Sequence, residues 1–178
     1  LTLLSSIAEF GFGEAIIQKP DLVDKDINLP FFVSMALSLI LWAVTVWQAG
    51  AIEKLMGVEG LAPVVVTVAI LAPFTTACMF QEALYKRHTL FKRLAFRTLS
   101  GTLLGGLAAC GVAYAGFGVW ALVVQMYVTT FVNLAWLWLQ PVWKPTWYNS
   151  FSSFVSFARF VVPVFGTRML SFVCARTA

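Results

Sequence analysis

Apolar residues run through this chain in long stretches, separated by short clusters of charge, glycine and proline. Six apolar segments are marked out: 1–18, 31–52, 61–83, 96–115, 119–139 and 153–175. A helix needs about 20 residues to cross roughly 30 Å of hydrocarbon, and the middle four segments reach that length. The first is shorter, and Arg159 and Arg168 interrupt the last. Strands of a membrane barrel run about ten residues and alternate polar with apolar positions; these segments are twice as long and do not alternate. Lipid offers the backbone no water, and a helix satisfies its own N–H and C=O groups. The pattern therefore predicts an all-α integral membrane protein, a multi-helix transmembrane bundle with residues 1–178 in a single membrane domain.

Local signals mark the segment ends. Asp26 or Asn28 can cap the second segment, with Pro30 near its first turn. Gly57 and Gly60 break the chain before the third, AGFG at 115–118 turns tightly between the fourth and fifth, and PVWKP at 141–145 closes the fifth. Pro63 and Pro73 in the third are tolerated kinks, either hinges or fixed bends. Gly101 and Gly105 form a GxxxG pair that lets a neighbouring helix approach closely.

Composition agrees. Only 11% of residues are charged, too few to give a water-soluble domain of this size its polar skin. The charges that exist are placed unevenly. If successive connections alternate sides, one side holds 19–30, 84–95 and 140–152, with Lys19, Lys25, Lys86, Arg87, Lys92, Arg93, Arg97 and Lys144. The other side holds 53–60 and 116–118, with only Lys54. Basic residues are retained on the cytoplasmic face during insertion, so the three richer loops are assigned to the cytoplasm. Trp47 and Trp120 then fall at the opposite interface and Trp138, Trp143 and Trp147 at the cytoplasmic one, as aromatic belts require. The block QEALYKRHTLFKRLAFR at 81–97 is topogenic on this reading, and its attraction to anionic lipid headgroups is a second role for the same charges.

Few residues carry chemistry. Cys78, Cys110 and Cys174 lie in separate apolar runs without ligand spacing and read as inert buried thiols. His88 is the single histidine, which leaves no His-based metal site. The aspartates of DLVDKD at 21–26 resemble half of a prenyltransferase metal site, but a second acidic cluster is missing and a solvated loop accounts for them. No metal, cofactor or nucleic-acid partner is expected. Glu9 stands ten residues before Lys19, ~15 Å from that membrane edge, where a carboxylate costs about 2.5–3.5 kcal/mol. It should face a cavity or a structural partner. Arg159 can snorkel to the surface, while Arg168 lies roughly 13 Å deeper and either meets an anionic substrate or joins an ion pair, with Glu9 as one candidate.

Two stretches resemble a known family. EFGFGEAIIQKPD at 9–21 is similar to the end of the second span of bacterial polysaccharide flippases, and FKRLAFRTLSGTLLGGLAACGVAYAGFGVWALVVQ at 91–125 to the later stretch that turns through GFGVWALVVQ into the next span; WKP at 143–145 also fits. These are the lipopolysaccharide and exopolysaccharide translocases of the multidrug/oligosaccharidyl-lipid/polysaccharide exporter superfamily. The resemblance implies a two-lobe transporter of a dozen or more helices in the bacterial inner membrane. On it, this chain is a fragment holding the end of helix 2, helices 3 to 6 and part of helix 7, mostly the N-terminal lobe. The ending CARTA departs from the family pattern. The implied activity is not enzymatic: an undecaprenyl-diphosphate-linked oligosaccharide is turned from the cytoplasmic to the periplasmic leaflet. Membrane lipids, a polysaccharide polymerase and glycosyltransferases are the implied partners, and Arg159 and Arg168 the cationic cavity candidates. A drug/cation antiporter of the same superfamily would favour cavity carboxylates such as Glu9. A membrane glycosyl or prenyl transferase would need paired acidic loops, and a structural membrane partner would tolerate replacement of every cavity residue.

Overall fold

The structure is a computed structural model and describes residues 16–17 and 24–146. Glu9, Arg159, Arg168, Cys174 and most of DLVDKD lie outside the described residues or side chains. Among the described residues from 24 onward, five helices follow one another: α1 (Asp24–Met56), α2 (Leu61–Ala69), α3 (Leu71–Arg87), α4 (Phe91–Tyr114) and α5 (Trp120–Leu139). Since α2 and α3 are nearly continuous, they make four rods, Ile27–Met56, Leu61–Arg87, Phe91–Tyr114 and Trp120–Leu139, each long and apolar enough to cross a bilayer. The shortest has 20 residues, or ~30 Å. Consecutive rods are antiparallel, and α3 packs between α1 and α5 while α4 lies outermost against α5.

The outer face is greasy. Leu39, Ile40, Trp47, Leu103, Leu107, Phe131 and Leu139 are all exposed. A water-soluble monomer rarely exposes contiguous apolar patches above a few hundred Å²; lipid is the solvent this surface suits. Cys110 belongs to the same face, contrary to the expectation of a buried thiol, whereas Cys78 is buried as expected.

The helices run further than their apolar segments. α1 begins seven residues before Phe31 and takes in Pro30, so Asn28 does not cap it. α3 continues through Arg87 and α4 starts at Phe91, which leaves only His88, Thr89 and Leu90 to reverse the chain. Most of the loop expected at 84–95 is thus helical, because Lys, Arg, Leu and Ala favour the helix as strongly beyond the hydrocarbon as within it. Thr89 absorbs the reversal at φ 56°.

At the other end the turn 57–60 uses Gly57 and Gly60 at φ 64° and 82°, a region that L side chains avoid. Glu53 stitches this turn. Its carboxylate accepts from Gly60 N at 3.1 Å and Ala62 N at 2.8 Å, satisfying donors at the start of α2 that have no intrahelical acceptor. The break at Ile70 has a local cause: Pro73 has no N–H to offer the carbonyl of Ala69. Nearby, the Tyr127 hydroxyl on α5 donates to the Thr67 carbonyl at 2.6 Å, so the bend is supported from outside its own helix.

The closest approach is between α4 and α5. Gly101 and Gly105 are buried there, and the Thr129 hydroxyl donates to the Gly101 carbonyl at 3.2 Å. A Cβ on Gly105 would overlap Thr129 Oγ1, and one on Gly101 would lie 2.8 Å from Asn133 Oδ1. Nothing lies within 4 Å of a Cβ on Gly106. Gly105→Ala is therefore expected to destabilise the detergent-solubilised protein by about 1–3 kcal/mol through overpacking, and Gly106→Ala to leave the thermal midpoint nearly unchanged. Equal effects of the two substitutions would contradict this packing.

Candidate functional site

Polar side chains converge at the end of the bundle where α1 begins, α3 ends, α4 begins and α5 ends. The segment after α5 is folded back beneath it. Trp143 is buried against Phe31, ring centroids 5.5 Å apart, and Phe31 in turn meets Phe80 at 5.3 Å. Trp143 is thus part of a small aromatic core with Ile16 and Ile27, not of the interfacial belt expected from sequence. Its carbonyl accepts from buried Gln81 Nε2 at 2.6 Å. Tyr85 donates its hydroxyl to the Gln140 carbonyl at 2.6 Å. Asn28 and Thr146 exchange two bonds, from Asn28 Nδ2 to Thr146 Oγ1 at 2.8 Å and from Thr146 N to Asn28 Oδ1 at 3.1 Å. The irregular segment would otherwise bring bare backbone groups to the membrane edge, where each unpaired group costs free energy.

The charge count of the sequence is concentrated at this end. Lys86 and Arg87 close α3, Lys92 and Arg93 open α4, and Lys144 follows α5. Arg87 donates to the Ile16 carbonyl at 2.7 Å, tying the earlier chain to the bundle. Arg97 differs from the others. It is buried, one and a half turns into α4, and its Nη1 pairs with Glu82 Oε2 at 3.0 Å. The other oxygen of Glu82 holds Lys86 at 2.8 Å. One carboxylate therefore serves two cations and clamps α3 to α4, helices that otherwise touch little.

Glu82 received no role from sequence reasoning, and Arg97 was counted as a loop charge. The Glu82–Lys86 spacing of four is a readable helix pair; the Glu82–Arg97 contact depends on the three-residue turn and was not readable. None of the sequence-derived cavity candidates, Glu9, Arg159 and Arg168, falls among the described residues. Within those residues no three His, Cys, Asp or Glu side chains gather as a metal site. Among the described residues the arrangement builds a cationic membrane end.

The clamp is testable. Glu82→Gln removes the counter-charge from buried Arg97 and should cost about 1–3 kcal/mol, the burial being partial. Arg97→Met should cost less, since Glu82 keeps Lys86. In a double-mutant cycle read by thermal unfolding in detergent, the pair should couple by about 0.5 kcal/mol or more; additivity would contradict the clamp.

Comparison with known proteins agrees with this architecture. The family described as "Polysaccharide biosynthesis protein" matches residues 1–178. The succinoglycan biosynthesis transport protein ExoT of Rhizobium meliloti (strain 1021) is 22% identical over 170 residues, covering 96% of this chain and 34% of that protein. The chain thus spans about a third of the length of this curated relative. No solved structure matches. With four spanning-capable helices and a family match from its first residue to its last, the chain is a multi-pass bacterial membrane protein of the polysaccharide biosynthesis protein family.

Proposed function

We propose that this chain forms part of a transporter that flips an undecaprenyl-diphosphate-linked oligosaccharide from the cytoplasmic to the periplasmic leaflet during polysaccharide or lipopolysaccharide synthesis. The observation that carries the reading is the family match along the whole chain, together with a relative named for transport in succinoglycan biosynthesis. The described residues support it: they form apolar rods with a cationic end. The chain supplies passage, and chemistry on the glycan belongs to other proteins of the same biosynthesis, glycosyltransferases and a polymerase among them.

Alternating access fits such a protein. Two lobes rock about a site near the midplane, and a substrate drives the change only through different affinities for the inward and outward states. Arg168 and Arg159 are the cations we assign to the diphosphate or acidic sugars, because a guanidinium binds phosphate in a fork. Glu9 is assigned to a coupled cation or proton.

In the full-length protein, Arg168→Ala should reduce polysaccharide export by at least about tenfold, one lost charge-assisted phosphate contact, while membrane insertion persists. Lipid-linked oligosaccharide should accumulate in the cytoplasmic leaflet. Normal export in this variant removes the Arg168 assignment; deletion of the whole gene without any change in surface or secreted polysaccharide removes the transport reading.

A further inference from the structure

The basic end of α4 carries a feature that clamping and topology leave unexplained. A recess of about 590 Å³ lies between the start of α4, the end of α3 and the end of α5. Lys92, Arg93 and Arg97 line it together with Phe96, Leu99 and Trp136. Its lining is thus part cationic and part apolar.

Three observations make this recess suited to an anion with an apolar tail. First, α4 opens without a side-chain cap and with no acidic residue in its first turn. Lys92 and Arg93 occupy that turn instead, the end of the helix where its dipole already disfavours positive charge. A helix N-terminus favours phosphate through its dipole, and cations beside it add to that attraction. Second, Arg97 lines the recess as a third cation, largely buried, with its Nη2 donating to the Thr98 hydroxyl at 3.5 Å. Glu82 engages Arg97 through Nη1, and the same carboxylate already serves Lys86. Third, the apolar part of the lining continues along α4. Phe96, Leu99, Leu103 and Leu107 are spaced to share one helix face, and all four are between 57% and 70% exposed. From Phe96 to Leu107 is ~16 Å along the axis, the depth of one leaflet of a bilayer whose hydrocarbon is about 30 Å thick.

We propose that this recess is a binding site for one anionic phospholipid of the leaflet facing the basic end, the cytoplasmic leaflet by the charge tally. Its phosphate sits on Lys92, Arg93 and the first turn of α4, and one acyl chain lies along Phe96, Leu99, Leu103 and Leu107. A free phosphate would have no use for the apolar track. A lipid-linked carrier with a longer isoprenoid tail would overrun a track one leaflet deep. The site is independent of the transported substrate and of the Arg168 assignment.

The test uses full-length protein in detergent, titrated with phosphatidylglycerol or phosphatidylcholine and weighed by native mass spectrometry. Phosphatidylglycerol should occupy one site about tenfold more tightly than phosphatidylcholine, as expected for two phosphate-facing cations near the surface. The double variant K92Q/R93Q should lose that one bound lipid. The charge-conserving exchange K92R/R93K should keep it, which separates lost binding from lost folding, and Lys144→Gln, at the same end but outside the recess, should keep it too. Equal occupancy by the two lipids, or unchanged phosphatidylglycerol binding in K92Q/R93Q, overturns the proposal. Displacement of the lipid by inorganic phosphate would reassign the site to a free anion, and displacement by undecaprenyl phosphate at equal concentration to the carrier; either overturns it as a phospholipid site.

Discussion

Everything in this structure answers to the absence of water around the backbone. In hydrocarbon an unpaired N–H or C=O costs several kcal/mol, so the chain crosses as helices, and where it becomes irregular, side chains or the hydrogen bonds of tight turns meet its backbone groups. The exceptions obey the rule. The proline-induced break at Ile70 has the Tyr127 hydroxyl on the nearby Thr67 carbonyl. The turn at 57–60 is capped by Glu53. The segment 140–146 is held by Gln81, Tyr85 and Asn28. Each of these side chains serves a backbone group of another stretch of chain.

Lipid also removes the hydrophobic drive for helices to associate, because tails are as apolar as leucine. Association then depends on shape and on polar contacts. α4 and α5 use shape: two glycines one turn apart admit Thr129 and Asn133 to the backbone of α4. α3 and α4 use charge, with Glu82 between Lys86 and Arg97. α1, α3 and the segment after α5 use a core of Phe31, Phe80 and Trp143 at the membrane edge. The charged and aromatic contacts gather toward the basic end, and the opposite end is joined by short glycine turns.

The architecture was legible because its signal is long and redundant. Twenty apolar residues admit few readings, and GxxxG at 101–105 named the tight interface in advance. Boundaries were less legible. Apolar length marks where hydrocarbon ends, not where the helix ends, and charged residues such as Lys86, Arg87 and Lys92 continue the helix into the interface. Roles that depend on contact across a turn were hidden. Asn28 has the composition of a cap but pairs with Thr146, 118 residues away. Arg97 has the composition of a loop charge but lies buried on Glu82. Trp143 has the composition of a belt residue but fills a core. Cys110, one apolar run among several, gave no sign of which side of its helix faces lipid. Glu9, Arg159 and Arg168 stand out by cost alone, a carboxylate and two guanidiniums at membrane depth, and that signal says nothing of what they face.

The central claim is that four antiparallel rods cross the bilayer with the basic turns inside the cell. Replacing Thr89 and Phe117 singly by cysteine, in full-length protein whose native cysteines are changed to serine, places a thiol in each of two successive turns. A membrane-impermeant maleimide applied to intact cells with a permeable outer membrane should label position 117 and spare position 89 until the inner membrane is opened. Labelling of position 89 from outside, or of both positions alike, would contradict the account.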